Sequence, residues 1–263
     1  MTSQVAIVIL SKNNPKLLEQ CILSILKNTL TTKYKIYIGD TGSDEITLHI
    51  IINMLKKYLT AESCRLILLD NYHFADNNNT IINTYVDEEW VLLCNDDIQL
   101  KDNCIDALLS WGNIQDNIGS IGCRLVFPDG SVQHAGQTVQ IDEFNMLQCT
   151  HRGYKCRRKY KNEKVAGNTA ALMMTRRDTF ISNGGFDESY TECWEDIHLN
   201  MKYILAGYSN WYLDDITAIH YESYTRTKSS EATYRLRYDY TYKLKPWFDQ
   251  LSASDKQTVL SYN

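Results

Sequence analysis

The residues best suited to chemistry follow a short apolar run, Trp-Val-Leu-Leu-Cys, which ends at Asn95, Asp96 and Asp97. Adjacent carboxylates at the end of a buried strand repel each other and lose hydration unless a cation or hydrogen-bond donors compensate. Oxygen ligands of this kind suit a hard divalent metal ion. The alternative is an ordinary polar strand exit, because Asn and Asp are common turn residues.

Three further polar residues lie at the ends of apolar segments or at the start of a predicted helix. Asp40 follows an apolar segment and precedes Gly42, where the backbone can approach a ligand closely. Asp196 opens a helical pattern, so the helix dipole favours its ionised form, which a general base requires. His220 ends a short apolar segment. The structural alternatives are a turn aspartate, N-terminal helix charge and a buried structural histidine.

Alternating strands and helices must position these groups. The pattern predicts strands at 5–10, 34–38, 65–69 and from Trp90, with amphipathic helices at 17–26 and 46–58. Such alternation is typical of a parallel sheet, whose ligands gather at the carboxyl ends of the strands. After Asp97 the pattern is less regular, and residues 165–174 are predicted to form one strand.

Composition narrows the class of protein. The chain has 263 residues, 44% hydrophobic and 22% charged, with a net charge of -5, which gives no general argument for a nucleic-acid partner. Eight scattered cysteines without a Cys-x-x-Cys pair fit reduced thiols in the cytoplasm. No segment reaches about 18 uninterrupted apolar residues, so we expect a soluble cytoplasmic protein. The basic segment 152–164 could meet phosphate or an anionic membrane surface, although a solvated mobile loop is favoured.

The order of the motifs resembles the family-2 glycosyltransferases of GT-A fold over residues 5–223. The shared motifs are Asp-x-Gly-Ser at 40–43, Asn-x-Asp at 95–97, Phe-Pro-Asp-Gly at 127–130 with Gln-His-Ala-Gly at 133–136, Gly-Gly-Phe-Asp-Glu at 184–188, Trp-Glu-Asp at 194–196 and a late His. The sequence departs from the family pattern at Asn95, where Asp is usual, and at Asp44, which directly follows Ser43.

The resemblance implies an α/β GT-A fold with a Rossmann-like, mainly parallel central sheet flanked by helices. It implies a nucleotide-sugar half at 1–97 and an acceptor and catalytic half at 98–223. Residues 224–263 are predicted to form a helical appendage, because their aromatic side chains would otherwise form an exposed patch. This appendage is expected to dock on the core or on a second subunit.

The resemblance also implies roles for individual residues. Asp196 is the expected general base, with Glu195 as the alternative. Nucleotide binding is assigned to Ser11, Asp40, Gly42, Ser43 and Asp96. Binding of Mn²⁺ or Mg²⁺ is assigned to Asp97, Asn95 and His220, and sugar or acceptor contacts to His134, Gly167, Asn168 and Trp194.

The predicted activity is metal-assisted, inverting transfer of a sugar from a nucleotide-diphosphate sugar, UDP- or dTDP-linked, to a glycan or glycoprotein hydroxyl in bacterial-type surface glycan synthesis. One base without a partnered nucleophile favours direct displacement, whereas hydrolases place two carboxylates across the bond. The alternatives are a catalytically silent carbohydrate-binding or scaffold domain and a sugar-phosphate nucleotidyltransferase. The latter needs a Gly-rich loop after the first strand, and Ser11-Lys12-Asn13-Asn14 has no glycine.

Overall fold

A ten-stranded mixed sheet organises the computed structural model, which describes residues 4–191, 193–221 and 230–262. The strands of this sheet are β1 Val5–Ser11, β2 Tyr34–Asp40, β3 Cys64–Leu68, β4 Trp90–Cys94, β5 Ile98–Leu100, β6 Ile118–Val126, β7 Val132–His134, β10 Glu163–Val165, β11 Leu172–Arg176 and β12 Ser209–His220. A separate antiparallel hairpin consists of β8 Gln137–Ile141 and β9 Leu147–His151.

Helices cover both faces of this sheet. They are α1 Pro15–Asn28, α2 Glu45–Tyr58, α3 Phe74–Tyr85, α4 Cys104–Ile114, α5 Arg177–Ser182, α6 Glu195–Leu205, α7 Ser230–Asp239, α8 Lys245–Gln250 and α9 Ala253–Leu260. A π-helical turn, Tyr240–Leu244, joins α7 to α8. Within the residues that the structure describes, no helix is long and apolar enough to cross a bilayer.

The main path of the sheet has the strand order β10-β12-β6-β11-β4-β1-β2-β3. Its N-terminal half, β3-β2-β1-β4, is parallel, as the alternating pattern predicts. Beyond β4 the sheet is mixed, since β11 runs antiparallel to both β4 and β6, and β12 runs parallel to β6. The carboxyl ends of β1, β2 and β4 therefore share one edge, which the predicted site requires.

The apolar run of β1 is continuous because both of its faces are buried. Ile7 and Ile9 pack with α1, α2 and α4 on one face, whereas Ala6 and Val8 pack with α3, α5 and α6 on the other. Complete burial of each large aliphatic side chain contributes about 1.5–3 kcal/mol. The core thus fixes the strands whose ends carry the candidate site.

The prediction of one strand over residues 165–174 is wrong. β10 ends at Val165 and β11 begins only at Leu172, because the intervening chain crosses from the edge of the sheet, where β10 pairs with β12, to the position between β4 and β6. The crossing is held by long-range contacts: the Gln137 amide donates to the Gly167 carbonyl (2.7 Å), and the Asn168 side chain donates to the Trp211 carbonyl (3.0 Å). A local apolar pattern does not contain these contacts.

The C-terminal residues 230–262 are helical and pack against α6. Leu244, Phe248 and Val259 are buried with Ile197 and Met201 of α6. The same cluster includes Val139 and Leu147 of the β8–β9 hairpin. The helix that begins near the predicted base therefore lies between the central sheet and the C-terminal segment.

The basic segment is attached to the rest of the protein at several points, and six of its seven basic residues are exposed to solvent, as predicted. The backbone amide of Tyr160 donates to the Asp214 carboxylate (3.0 Å), and the Asn162 side chain donates to Asp215 (3.0 Å). The Arg152 guanidinium pairs with Glu163 (3.0 Å) and lies 4.5 Å from the centre of the Tyr160 ring. Polar and cation–π contacts thus hold this segment in place.

Candidate active site

The loops that follow β1 and β2 form the first part of the site. In the parallel register, Ser11 lies opposite Asp40. The backbone amide of Asn13 donates to Ser43 Oγ (2.8 Å), and the Asn13 side chain accepts from the backbone amide of Asp44 (2.9 Å). These reciprocal hydrogen bonds hold the two loops together at the edge of the sheet.

Asp40 is buried at the end of β2, and its two carboxylate oxygens differ in their hydrogen bonding. Oδ1 accepts from the backbone amides of Gly42 (3.3 Å) and Ser43 (2.9 Å). Oδ2 has no hydrogen-bond partner among the described residues, although it is buried. A buried acceptor without a partner is costly, so this oxygen is suited to a ligand N–H group.

Gly42 cannot readily be replaced in this turn. Its φ of +93° is in the left-handed region that favours glycine, and a Cβ atom would lie 2.9 Å from the carbonyl oxygen of Asp70. The glycine thus permits the tight turn in which Asp40 accepts two backbone hydrogen bonds.

Asp96 connects the β1 loop to the acidic motif after β4. The Ser11 hydroxyl donates to Asp96 Oδ2 (2.7 Å), and the Asn14 side chain donates to the same oxygen (3.4 Å). The Asp96 pKa is raised to about 6, mainly because the carboxylate is buried; the Ser11 hydrogen bond opposes this effect, and the neighbouring Asp97 charge adds to it. The sequence identified Ser11 and Asp96 separately but gave no sign that they are hydrogen-bonded.

Asp97 and His220 meet across 123 positions in the sequence, because β5 and β12 pair with Ile98 opposite His220. His220 Nε2 lies 3.1 Å from Asp97 Oδ1. The other ring nitrogen, Nδ1, lies 2.7 Å from Gln133 Oε1, and because an amide oxygen only accepts, Nδ1 carries the proton. In the neutral imidazole, Nε2 therefore presents a lone pair toward the carboxylate.

This pair offers one oxygen and one nitrogen that could serve as ligands to a divalent metal ion. The 3.1 Å approach does not meet hydrogen-bond geometry, since Asp97 Oδ1 is buried without a hydrogen-bond partner among the described residues. No group of three His, Cys, Asp or Glu residues that could bind a metal occurs in the described part of the chain. An ion held by this pair would need further ligands from outside these residues, such as phosphate oxygens and water.

Asn95 contributes its backbone to the turn between β4 and β5. Its amide donates to the Ala171 carbonyl (2.9 Å), and its own carbonyl accepts from the Ile98 amide (3.3 Å). The turn fixes the positions of Asp96 and Asp97. Direct metal ligation by the Asn95 side chain stays a prediction.

Asp196 lies half-buried in the first turn of α6. Its Oδ2 accepts from the Ala170 amide (3.2 Å), and its Oδ1 accepts from the amide of the next residue, Ile197 (2.6 Å). Ala170 precedes the residue whose carbonyl binds the Asn95 amide. The consecutive residues Ala170 and Ala171 therefore connect the predicted base to the acidic motif, so the base and the motif lie at one site. Glu195 is half-buried at the first position of the same helix.

Three of the residues predicted to contact the sugar are packed inside the protein. Asn168 is fully buried and donates to Ser120 (2.9 Å), and a Cβ on Gly167 would lie 2.8 Å from Asn200 Cβ. His134 is buried beside the His151 ring, at 4.9 Å, and burial, reinforced by His151, holds its pKa well below the ordinary value. Sugar binding by these residues stays a prediction that this packing does not favour.

Trp194 lies immediately before α6, next to the predicted base. Its φ of +85° is unusual for a bulky residue, and its indole nitrogen donates to the Leu236 carbonyl (3.0 Å). The side chain is half-buried, so one part of it can still meet a ligand.

Gln133 is a site residue whose role the sequence reasoning missed. In the sequence it is only part of a motif, and the one signal of its role is a polar residue between the apolar Val132 and the predicted site residue His134. Since side chains alternate along a strand, Gln133 reaches His220 while His134 points to the other side.

The profile of the family described as Glycosyl transferase family 2 matches residues 6–183, well over half of the chain. The chain belongs to glycosyl transferase family 2. Membership confirms the predicted family and enzyme class. The matched region contains the Asp40 turn and the acidic motif, and ends before Asp196 and His220.

Among the relatives of this family-2 chain is the O-antigen biosynthesis protein RfbC of Myxococcus xanthus, 26% identical over 258 residues that cover 94% of this chain and 19% of RfbC. Another is the N-acetylglucosaminyl-diphospho-decaprenol L-rhamnosyltransferase of Mycobacterium tuberculosis, 26% identical over 149 residues that cover 52% of this chain and 48% of the relative. The chain thus spans between about a fifth and a half of the length of these relatives.

The predicted fold is also confirmed. The structure of the mannosyltransferase PcManGT from Pyrobaculum calidifontis, in complex with GDP-Man and Mn²⁺, superimposes with a TM-score of 0.68 at 13% identity. The match covers 100% of this chain and 69% of that protein. At this identity the likeness establishes a shared glycosyltransferase fold.

Proposed function

We propose that this family-2 chain transfers a sugar from a uridine- or thymidine-diphosphate sugar to a glycan hydroxyl, with inversion and with help from a divalent metal ion. The observation that carries the proposal is the arrangement of Asp40, the Asp97–His220 pair and Asp196 along one edge of the sheet. Hydrogen bonds from Ser11 to Asp96, and from Ala170 to Asp196, join these three parts.

Asp40 is proposed to recognise the base. Its buried Oδ2 is an acceptor without a partner among the described residues, and the imide N–H of uracil or thymine is a donor of the required kind. Gly42 and Ser43 hold the carboxylate in place through their backbone amides. The cytosine ring has no N–H at the corresponding position, so a cytidine donor would leave Oδ2 without a partner.

Asp97 and His220 are proposed to hold Mn²⁺ or Mg²⁺. Bound there, the ion would neutralise the charge that develops on the leaving diphosphate. Gln133 fixes the tautomer of His220 so that Nε2 is available as a ligand, which is a common role for a hydrogen-bond partner of a metal-binding histidine. An imidazole ligand favours Mn²⁺ over Mg²⁺. The presence of Mn²⁺ in the PcManGT complex is consistent with this choice.

Asp196 is proposed to be the general base. It takes the proton of the acceptor hydroxyl while the acceptor oxygen forms a bond to the anomeric carbon and the bond from that carbon to the diphosphate oxygen breaks. The Ala170 amide holds Oδ2, and the N-terminus of α6 stabilises the ionised carboxylate. Glu195 is the alternative base, and Trp194 is proposed to line the acceptor side.

The acceptor is proposed to be a hydroxyl of a surface glycan, lipid-linked or attached to protein. The names of the two relatives, one acting in O-antigen biosynthesis and one on a diphospho-decaprenol-linked sugar, support this class. Peripheral association with an anionic membrane through the basic segment would bring the chain to such an acceptor. Self-association through the C-terminal segment is a further proposal.

A panel of nucleotide sugars tests the activity. We expect one or more uridine or thymidine diphosphate sugars to raise the melting temperature in Mn²⁺ and to release nucleoside diphosphate slowly. If no combination of donor and metal raises the melting temperature or releases nucleoside diphosphate, the result would point to a catalytically silent domain. Pyrophosphate release from a nucleoside triphosphate and a sugar phosphate would instead point to a nucleotidyltransferase.

A further inference from the structure

A completely buried carboxylate in the C-terminal segment contacts the loop that leads to the catalytic helix. Asp239, the last residue of α7, has no exposed surface. Its carboxylate accepts from the backbone amide of Thr191 (2.8 Å) and from the Thr191 hydroxyl (3.2 Å). Because an unpaired buried charge is unfavourable, this carboxylate needs these donors and therefore holds Thr191 in place.

Lys243 contributes the opposite charge and a second attachment to the same loop. Its ammonium lies 2.7 Å from Asp239, one helical turn earlier, and also donates to the backbone carbonyl of Ser189. The ion pair thus contacts two positions of the loop, Ser189 and Thr191, which lie five to seven residues before Asp196 in the sequence.

Trp194 provides the third attachment. The left-handed backbone of this residue is unfavourable for tryptophan unless neighbouring contacts stabilise it. The Leu236 carbonyl accepts from its indole nitrogen, and the Tyr240 ring lies 5.7 Å from the indole. Tyr240 is itself held by a hydrogen bond from its hydroxyl to the Leu147 carbonyl (2.6 Å).

We propose that Leu236, Asp239, Tyr240 and Lys243 form a C-terminal strap that sets the position of Asp196, with Asp239 as the main positioning residue. The strap holds the loop and Trp194 from one side, and the Ala170 amide holds the Asp196 carboxylate from the other. The inference rests on the proposed role of Asp196 as base. It assigns a function in transfer to a segment outside the matched family region.

The proposal separates catalysis from donor binding. Ser11 donates a hydrogen bond to Asp96, and Asp40 accepts from the backbone of its own turn. In the part of the chain that the structure describes, none of their side-chain hydrogen bonds involves the strap. Loss of the strap should therefore lower kcat for transfer while the KM and the dissociation constant for the donor stay near their wild-type values. Since small errors in the placement of a catalytic group are costly, we expect a fall in kcat of about 10- to 100-fold.

The experiment compares Asp239→Asn with Asp249→Asn in the full chain. Asp249 is a matched control, because it forms an i,i+4 pair with Lys245 in α8 that is more exposed than the strap pair. The fluorescence of Trp194 is identified as the part of the emission that is lost in Trp194→Phe. We expect Asp239→Asn to lower kcat and to make this fluorescence more accessible to quenching by acrylamide. Asp249→Asn should change neither kcat nor the quenching. If Asp239→Asn fails to fold, Thr191→Val replaces it, with Thr191→Ser as the variant that retains the hydroxyl and restores activity.

Two outcomes would overturn the proposal. One is a folded Asp239→Asn or Thr191→Val protein with wild-type kcat. The other is an equal loss of kcat and donor affinity, which would indicate general damage to the structure. Activity in Asp196→Asn would instead refute the base assignment, so failure of the proposed function can be distinguished from failure of the strap.

Discussion

At the residue scale, the Asp97–His220 pair places a buried carboxylate oxygen, which has no hydrogen-bond partner among the described residues, 3.1 Å from an imidazole nitrogen. We predict that Asp97→Ala abolishes transfer and removes the Mn²⁺-dependent part of nucleotide diphosphate affinity, because the cation loses its anchor. Titration calorimetry with and without Mn²⁺ measures this directly. The exposed Asp116 is a control for removal of a carboxylate, and Asp116→Ala should bind like the wild type. Unchanged metal-dependent affinity in Asp97→Ala would refute the metal site.

The general base allows a second prediction at this scale. Asp196→Asn keeps the shape of the side chain and removes its basicity, so donor affinity should stay near wild type while transfer falls by about 10²- to 10⁴-fold. Such a pattern identifies an interaction used mainly in the transition state. Glu195→Gln is the matched variant and should cost less. If Glu195→Gln loses activity and Asp196→Asn retains it, the base is the preceding residue.

Single residues at the strand ends could be read from the sequence, whereas their partners could not. The sequence predicts Asp40, Asp97 and Asp196 as site residues because each follows an apolar run or opens a helical pattern. The contact of His220 with both Asp97 and Gln133 depends on strand pairing over 87 to 123 positions, which local patterns do not specify. The burial of His134 and Asn168 is likewise a tertiary property.

At the element scale, the turn after β2 depends on Gly42. Comparing its replacement with that of Gly207 separates the effect of backbone strain from that of a steric clash. Gly42→Ala adds a Cβ at a φ of +93° and at 2.9 Å from the Asp70 carbonyl, whereas Gly207→Ala adds one at a similar φ of +85° with no atom within 4 Å. Backbone strain alone should cost Gly207→Ala about 1 kcal/mol. Chemical denaturation should show a larger loss for Gly42→Ala, which should also bind nucleotide more weakly. Equal stability losses and unchanged nucleotide binding would contradict this account.

The elements differ in how far the sequence predicted them. β1, β2 and β4 were predictable because burial on both faces gives short continuous apolar runs. The region after Asp97 was not, since residues 165–174 have an apolar pattern but leave one strand pair and enter another. Periodicity reports which residues are buried and does not report which strand they pair with.

At the scale of the whole molecule, the C-terminal segment covers one face of α6. Truncation after Ser223 would expose Ile197 and Met201, which pack against Leu244, Phe248 and Val259. We expect the truncated protein to be less soluble and to lose transfer activity, because both the apolar cover and the strap are removed. Light scattering and a transfer assay check this. A soluble truncated protein of unchanged activity would show that the segment is dispensable.

Acid should weaken the attachment of this segment, because His198 of α6 is buried against it. The His198 ring lies 4.3 Å from Trp247, with Asp187 at 3.8 Å as the nearest carboxylate and Lys202 on the same helix. The His198 pKa is lowered from 6.5 to about 4, mainly by burial and also by the Lys202 charge, while Asp187 partly opposes both effects.

The direction of the pH effect on stability follows from proton binding by His198. Between pH 6.5, its ordinary pKa, and about pH 4, its pKa in the folded protein, the unfolded chain takes up a proton that the folded chain does not. The free energy of unfolding therefore falls as the pH is lowered from about 6.5 toward 4, by at most about 3 kcal/mol. His198→Phe should reduce this dependence, whereas replacement of the exposed His49 by Phe should leave it unchanged. Urea denaturation at pH 7 and pH 5 measures the difference, and because His134 is present in all three proteins, its own titration cancels. Equal pH dependence in wild type and His198→Phe would mean that His198 does not link acid to the stability of the α6 interface.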